Sequence, residues 1–183
     1  RTGQTSAVEV ARATLARIDA VQPILNCFIT VCRDEALRDA ALVDARIARG
    51  EDPGHLAGVP LHVKDLVNTA GVRTTFGSLM FEHNVPAHDA VAVARLKAAG
   101  AVLVGKTTTP EFGHMVWTEA PLFGQTRNAW NQSRTSGGSS GGAAAACAGA
   151  ECVQPRGDDH VAIILPAVEV AARRPCDGVS GAV

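Results

Sequence analysis

Four consecutive apolar residues, Ala101 to Val104, follow a helical stretch and a glycine, and this order narrows the fold more than any other feature of the chain. A run of β-formers with no polar alternation suits a central strand covered on both faces. The preceding helix is read as capped by Asp89, with Val93 and Leu96 turned inward and Gly100 ending it. Helix, glycine turn and apolar strand together predict an α/β unit.

The rest of the chain extends the pattern. Ser6-Ala7-Val8-Glu9 has the form of a capping box, and Val8, Ala11, Leu15 and Ile18 recur at helical spacing. This predicts an amphipathic helix that stops before Pro23. Residues 26–31 suit a short strand, and residues 34–49 a second helix closed by Gly50. Gly58-Val59-Pro60-Leu61-His62-Val63-Lys64-Asp65 is strand-like, and Thr74 to Ser78 reads as a loop rich in hydroxyls and glycine. After Pro121 the chain turns loop-like until Ser136-Gly137-Gly138-Ser139-Ser140-Gly141-Gly142, after which Ala143 to Ala146 opens a helix. Backbone amides at that helix start point outward at its positive end. From residue 151 the character changes. Asp158, Asp159 and His160 look like a helix start, and Val161, Ile164, Leu165, Val168 and Ala172 follow at helical spacing. Pro166 interrupts that helix at a cost of about 3 kcal/mol. The expected division is residues 1–150 and a tail, residues 151–183.

Composition excludes several classes. The chain has 183 residues, 46% of them hydrophobic and 19% charged, which is globular rather than disordered. A net charge of −1 gives no electrostatic case for nucleic acid or an anionic membrane surface. No apolar run approaches the roughly 20 residues of a membrane span. The opening Arg1-Thr2-Gly3-Gln4-Thr5 has neither an initiator Met nor a signal-peptide core, which leaves a cut end open. Five cysteines (Cys27, Cys32, Cys147, Cys152, Cys176) without a CxxC pair argue against a disulfide framework or a zinc site. They are read as small buried hydrophobes in a reducing compartment, with a cytoplasmic location as the default. No metal or cofactor is expected.

Three motifs invite chemistry. Gly100 to Thr107 satisfies the phosphate-loop pattern GxxxxGK[ST]. A phosphate cradle needs a flexible loop between the glycines, and here the intervening residues are themselves the strand, so nucleotide binding is rejected. Lys64 is one of only three lysines, with Lys97 and Lys106, and it stands in an apolar stretch. Such a lysine either snorkels to solvent or is desolvated by Val59, Leu61 and Val63, its pKa lowered so that the neutral amine takes a proton. Residues 136–142 read either as a flexible linker or as a site loop. Their position between core elements, running straight into a helix, favours the loop.

Taken together, these segments resemble the amidase-signature family. Residues 58–65 look like its lysine strand, and Gly105-Lys106-Thr107-Thr108-Thr109-Pro110-Glu111-Phe112-Gly113 like its following strand and loop. Gly124 to Trp130 and Ser136 to Gly142 resemble the signature itself. The match covers roughly residues 1–150 and implies a mixed central sheet flanked by helices, here a truncated version of that α/β fold. It also implies amide hydrolysis by a Ser–cis-Ser–Lys triad. Lys64 would be the terminal base and Ser139 the bridging serine in a cis peptide after Gly138, with Ser140 as a supporting hydroxyl. An alcohol is too weak a nucleophile at neutral pH without such a base. A small-molecule amide is the implied substrate, and a homo-oligomer is compatible with the resemblance.

The chain also departs from the family. The family's nucleophile sits in a glycine-rich TDxGGS-type loop downstream of the bridging serine, and residues 141–183 contain no such motif. Their only serine is Ser180. Residues 153–160 and Arg173-Arg174-Pro175 instead look like the family's C-terminal segment, which implies an internal deletion. The resulting expectation is an amidase-family hydrolase that is catalytically incomplete, a pseudoenzyme. Pro121-Leu122-Phe123-Gly124-Gln125-Thr126 leans toward the fatty-acid-amide-hydrolase-like branch. The alternatives are the glutaminase (A) subunit of a tRNA-dependent amidotransferase, or a non-catalytic remnant serving as a binding module.

Overall fold

A computed structural model describes residues 5–152. The expected tail helix, its Pro166 flaw and Ser180 lie outside the described residues.

Helix α1 (Ala7–Leu25) begins as the sequence predicts. Ser6 Oγ accepts from the Glu9 amide at 3.1 Å, and the Glu9 carboxylate accepts from the Ser6 amide at 2.8 Å. Its end differs from expectation, because the helix runs through Pro23 to Leu25. A proline in the final turn removes one amide donor, and other groups secure the end. Asn26 adopts the left-handed conformation and its amide donates to the Gln22 carbonyl at 2.9 Å. The Gln22 side chain then receives the Cys27 and Phe28 amides at 3.1 and 2.9 Å, which leads the chain into β1 (Phe28–Val31).

Helix α2 (Arg33–Ala48) ends at Gly50, which takes a φ of +73°. Strand β2 (Pro60–Lys64), helix α3 (Val91–Ala98) and strand β3 (Val102–Thr107) follow. Asp89 does not cap α3. The cap residue is Ala90, and Asp89 instead accepts from the Ala70 amide at 2.7 Å and pairs with Lys97 at 2.9 Å. A carboxylate one residue too early cannot reach the first amides, so it ties the helix to the preceding loop. Strands β4 (Glu119–Ala120) and β5 (Gly124–Gln125) make a small hairpin, and α4 (Gly141–Cys152) closes the described region.

The main sheet has the order β1-β3-β2, with β3 antiparallel to β1 and parallel to β2. The continuous apolar run is therefore central, and it is buried throughout. Val102 and Val104 join the core built on α1, α2 and α4. Leu103 joins a second cluster with Leu61, Val63 and Val93. Sheet faces alternate in this way until a register slip. Leu61 pairs with Leu103 but His62 pairs with Gly105, which puts one extra residue in β3. Beyond the slip, Val63 is opposite Lys106 and Lys64 is opposite Thr107. That single irregularity decides where Lys106 points.

Candidate active site

Lys64 is the last residue of β2 and is half-buried, on the sheet face that α4 covers. The alternation that puts Val63 into the core beside Leu103 puts Lys64 on the opposite face. There its amine donates to Ser139 Oγ at 2.7 Å and to Ser140 Oγ at 3.0 Å. Residues separated by 75 positions in the chain thus converge on one amine.

Threonines hold the serine loop in place. Thr118 Oγ1 donates to the Gly137 carbonyl at 2.8 Å and accepts from the Gly141 amide at 3.1 Å. Thr109 Oγ1 donates to the Ser139 carbonyl at 3.2 Å. The Ser140 carbonyl accepts from the Ala144 amide at 3.0 Å, so the loop becomes the first turn of α4 without a break. Gly137 has a φ of +80°, and the peptide bond between Gly138 and Ser139 is cis. Glycine is required at 142 for space: a Cβ there would lie 2.3 to 2.4 Å from Thr108 Oγ1 and the Thr108 backbone. Rigid loops and a helix start, not a flexible linker, place the two hydroxyls.

The thiol of Cys147, on α4, faces His62 Nε2 at 3.8 Å rather than the serine pair. Burial pushes the imidazole of His62 down to about 4, and the thiols of Cys27 and Cys32 up to about 12 and about 11. Among the described residues no group of three or more His, Cys, Asp or Glu could hold a metal ion, and no helix is long and apolar enough to cross a membrane. A void of about 20 Å³ lies beneath His62 and Ala146, and an open groove of about 550 Å³ runs along Gln22, Asn26, Phe123 and Arg127. Neither includes Ser139.

The amidase family model matches residues 9–160. The chain belongs to the amidase-signature family. Its relatives include the glutamyl-tRNA(Gln) amidotransferase A subunit of Carboxydothermus hydrogenoformans, 51% identical over 85% of this chain and 32% of the relative. The chloroplastic/mitochondrial A subunit of Arabidopsis thaliana is 46% identical over 86% of this chain and 29% of its own. Among solved structures, a bacterial aryl acylamidase of the amidase-signature family is 34% identical with a TM-score of 0.76, over 83% of this chain and 31% of that one. A structure described as a vestigial protein complex, from work on the origins of an s-triazine catabolic enzyme, is 43% identical with a TM-score of 0.77 over 81% and 33%. The chain spans about a third of the length of these family members. The Carboxydothermus hydrogenoformans and Arabidopsis thaliana relatives are both amidotransferase A subunits.

The structure also exposes a cluster that sequence reasoning missed. Lys106, set aside with the phosphate-loop pattern, is fully buried beside fully buried Asp65, with Nζ 3.7 Å from Oδ1. Its amine donates to Thr74 Oγ1 at 2.6 Å and to the Val67 carbonyl at 2.8 Å. Burial lowers the Lys106 amine to about 8 and raises the Asp65 carboxyl, while the two charges oppose both shifts. The signal available in the sequence was a lysine inside an otherwise apolar strand, and Lys106 in β3 carries it as well as Lys64 in β2.

Proposed function

We propose that this chain carries the base and bridging half of a proton relay for amide hydrolysis, of the type used by the glutaminase (A) subunit of tRNA-dependent amidotransferases. One observation carries the reading: the Lys64 amine lies 2.7 Å from the hydroxyl of Ser139, 75 residues away. That separation is within the range in which a positioned side chain moves a proton. In the relay, neutral Lys64 draws the proton of Ser139, and Ser139 Oγ draws that of a nucleophilic alcohol as it attacks the amide carbonyl. Ser140 Oγ, accepting from the amine at 3.0 Å, keeps it aimed. The leaving amine takes the proton back, and water then cleaves the acyl-enzyme by the same route in reverse.

The nucleophile is the part without a candidate. The glycine-rich loop that carries it in the family has no counterpart in residues 141–183. We therefore assign no amide hydrolysis to the 183-residue chain on its own. Phe112, Val116 and Trp117, in the segment leading up to Thr118, are 52%, 78% and 40% exposed. The similarity to an aryl acylamidase supports a second reading, a small-molecule amidase with the same relay.

A chimera tests the proposal. Residues 9–152 replace the matching segment of one of the amidotransferase relatives, and ammonia release from glutamine is measured against release from an aryl amide. The glutaminase reading expects glutamine hydrolysis that Lys64→Ala and Ser139→Ala each abolish. A folded chimera that prefers the aryl amide would favour the second reading, and one that hydrolyses neither would refute the relay.

A further inference from the structure

The pair Lys106 and Asp65 takes no part in the relay described above, yet it lies directly beneath it. Asp65 follows Lys64 in the chain, and the register slip in β3 brings Lys106 to the same face as Asp65, opposite the Lys64 amine. Lys106 and Asp65 form a buried ion pair at 3.7 Å, and Asp65 Oδ1 has no hydrogen-bond partner. Each also binds the loop of residues 74–78. Lys106 holds Thr74 Oγ1. Asp65 Oδ2 accepts from the Thr75 amide at 2.9 Å and from Thr75 Oγ1 at 2.5 Å, and the Asp65 carbonyl accepts from the Phe76 amide at 3.1 Å.

This loop passes the constraint onward. The Phe76 carbonyl accepts from the Phe112 amide at 2.8 Å, and Phe81 packs edge-on against both Phe76 and Phe112. Gly77 lies so close to Thr109 that a Cβ would stand 2.6 Å from its carbonyl oxygen. Thr109 in turn bonds the Ser139 carbonyl, and a Cβ on Gly113 would stand 3.7 Å from Ser139 Oγ. An apolar pair would avoid the desolvation cost of two charges but would leave the buried Thr75 amide and hydroxyl without their acceptor. The two charges are therefore tied to the placing of this loop.

We infer that Lys106 and Asp65 are positioning residues: by fixing the loop of residues 74–78 they hold the turn at residues 109–113 against Ser139, and so set the contact between Ser139 and Lys64. The inference rests on Lys64 and Ser139 forming the relay.

The test reads the relay's geometry and not turnover. The full 183-residue chain is acetylated with an amine-selective succinimidyl ester across a pH series, and modification of Lys64 is quantified by peptide mass spectrometry against the urea-unfolded chain. The variants are Thr75→Val, which keeps volume and removes the hydroxyl, Thr75→Ser, which restores it, and the apolar double replacement Lys106→Met/Asp65→Leu. In the unsubstituted chain Lys64 is protected. In Thr75→Val its rate rises roughly fivefold, the size expected for losing one net hydrogen bond, and in the double variant, which loses four bonds, it rises further. Thr75→Ser retains the unsubstituted profile. Thermal midpoints of Thr75→Val and Thr75→Ser separate this from global unfolding, whereas the double variant also strands the buried Thr75 amide and is expected to lose stability. If the double variant does not fold, the Thr75→Val and Thr75→Ser pair decides alone. Protection that survives Thr75→Val would overturn the positioning role and leave the relay standing. An unsubstituted Lys64 that reacts as fast folded as unfolded would overturn the relay, and the inference with it.

Discussion

Replacing Gly142 by alanine sets two calculable effects against each other. In a helix, alanine is better than glycine by about 0.5–1 kcal/mol because it loses less backbone freedom on folding. At this position the new Cβ would lie 2.3 Å from Thr108 Oγ1 and 2.4 Å from both the Thr108 nitrogen and its carbonyl oxygen. Overpacking costs typically about 1–3 kcal/mol, and here the obstacle is backbone of a buried segment that cannot rotate away, so the upper end applies. The net expectation is a loss of about 2 kcal/mol, with the propensity gain outweighed. With a urea slope of about 1–3 kcal/mol per molar, the unfolding midpoint falls by about 1 M. Trp117 and Trp130 supply the fluorescence signal. Ala144→Gly, on the exposed side of the same helix, is the control and costs only the propensity difference. A Gly142→Ala protein as stable as the unsubstituted chain would refute the close approach of α4 to the strand-end threonines, and with it the rigid seat of the serine loop.

Two further outcomes follow from burial. Cys27 and Cys32, with thiols pushed up to about 12 and about 11, should stay unmodified by iodoacetamide at about pH 8 in the folded chain and react once urea is added; rapid folded-state labelling, read by peptide mass, would contradict their packing. His62 is held neutral, its folded pKa of about 4 below the unfolded value of about 6.5. The unfolded chain therefore binds the extra proton, and stability should fall as pH drops from about 6.5 toward 4, by up to about 3 kcal/mol from this residue. Urea midpoints of the unsubstituted chain and His62→Gln at about pH 7 and pH 5 isolate that part; identical pH dependence would show His62 to be more solvated than the structure has it.

How far the sequence reached depended on whether a feature was local. The capping box at Ser6, the central strand and the serine loop entering α4 are set by neighbouring residues, and pattern reading finds them. Lys64 and Ser139 were legible for another reason, since the family resemblance carried a pairing that spacing could not. Pro23 misled because its penalty presumes a helix interior, whereas Gln22 and Asn26 finish the last turn around it. Lys106 was missed because its direction depends on a register slip between β2 and β3, a relation between strands that no single segment encodes. The lean drawn from residues 121–126 had little physical basis. Gly124 and Gln125 form an exposed two-residue hairpin strand.

Incubation of the 183-residue chain with a fluorophosphonate probe, followed by site mapping, tests the central claim most directly. The proposed relay, lacking the family's glycine-rich nucleophile loop in residues 141–183, predicts no labelled serine. Stoichiometric labelling of any serine, abolished by Lys64→Ala in a folded protein, would contradict the account and show that the chain carries its own nucleophile.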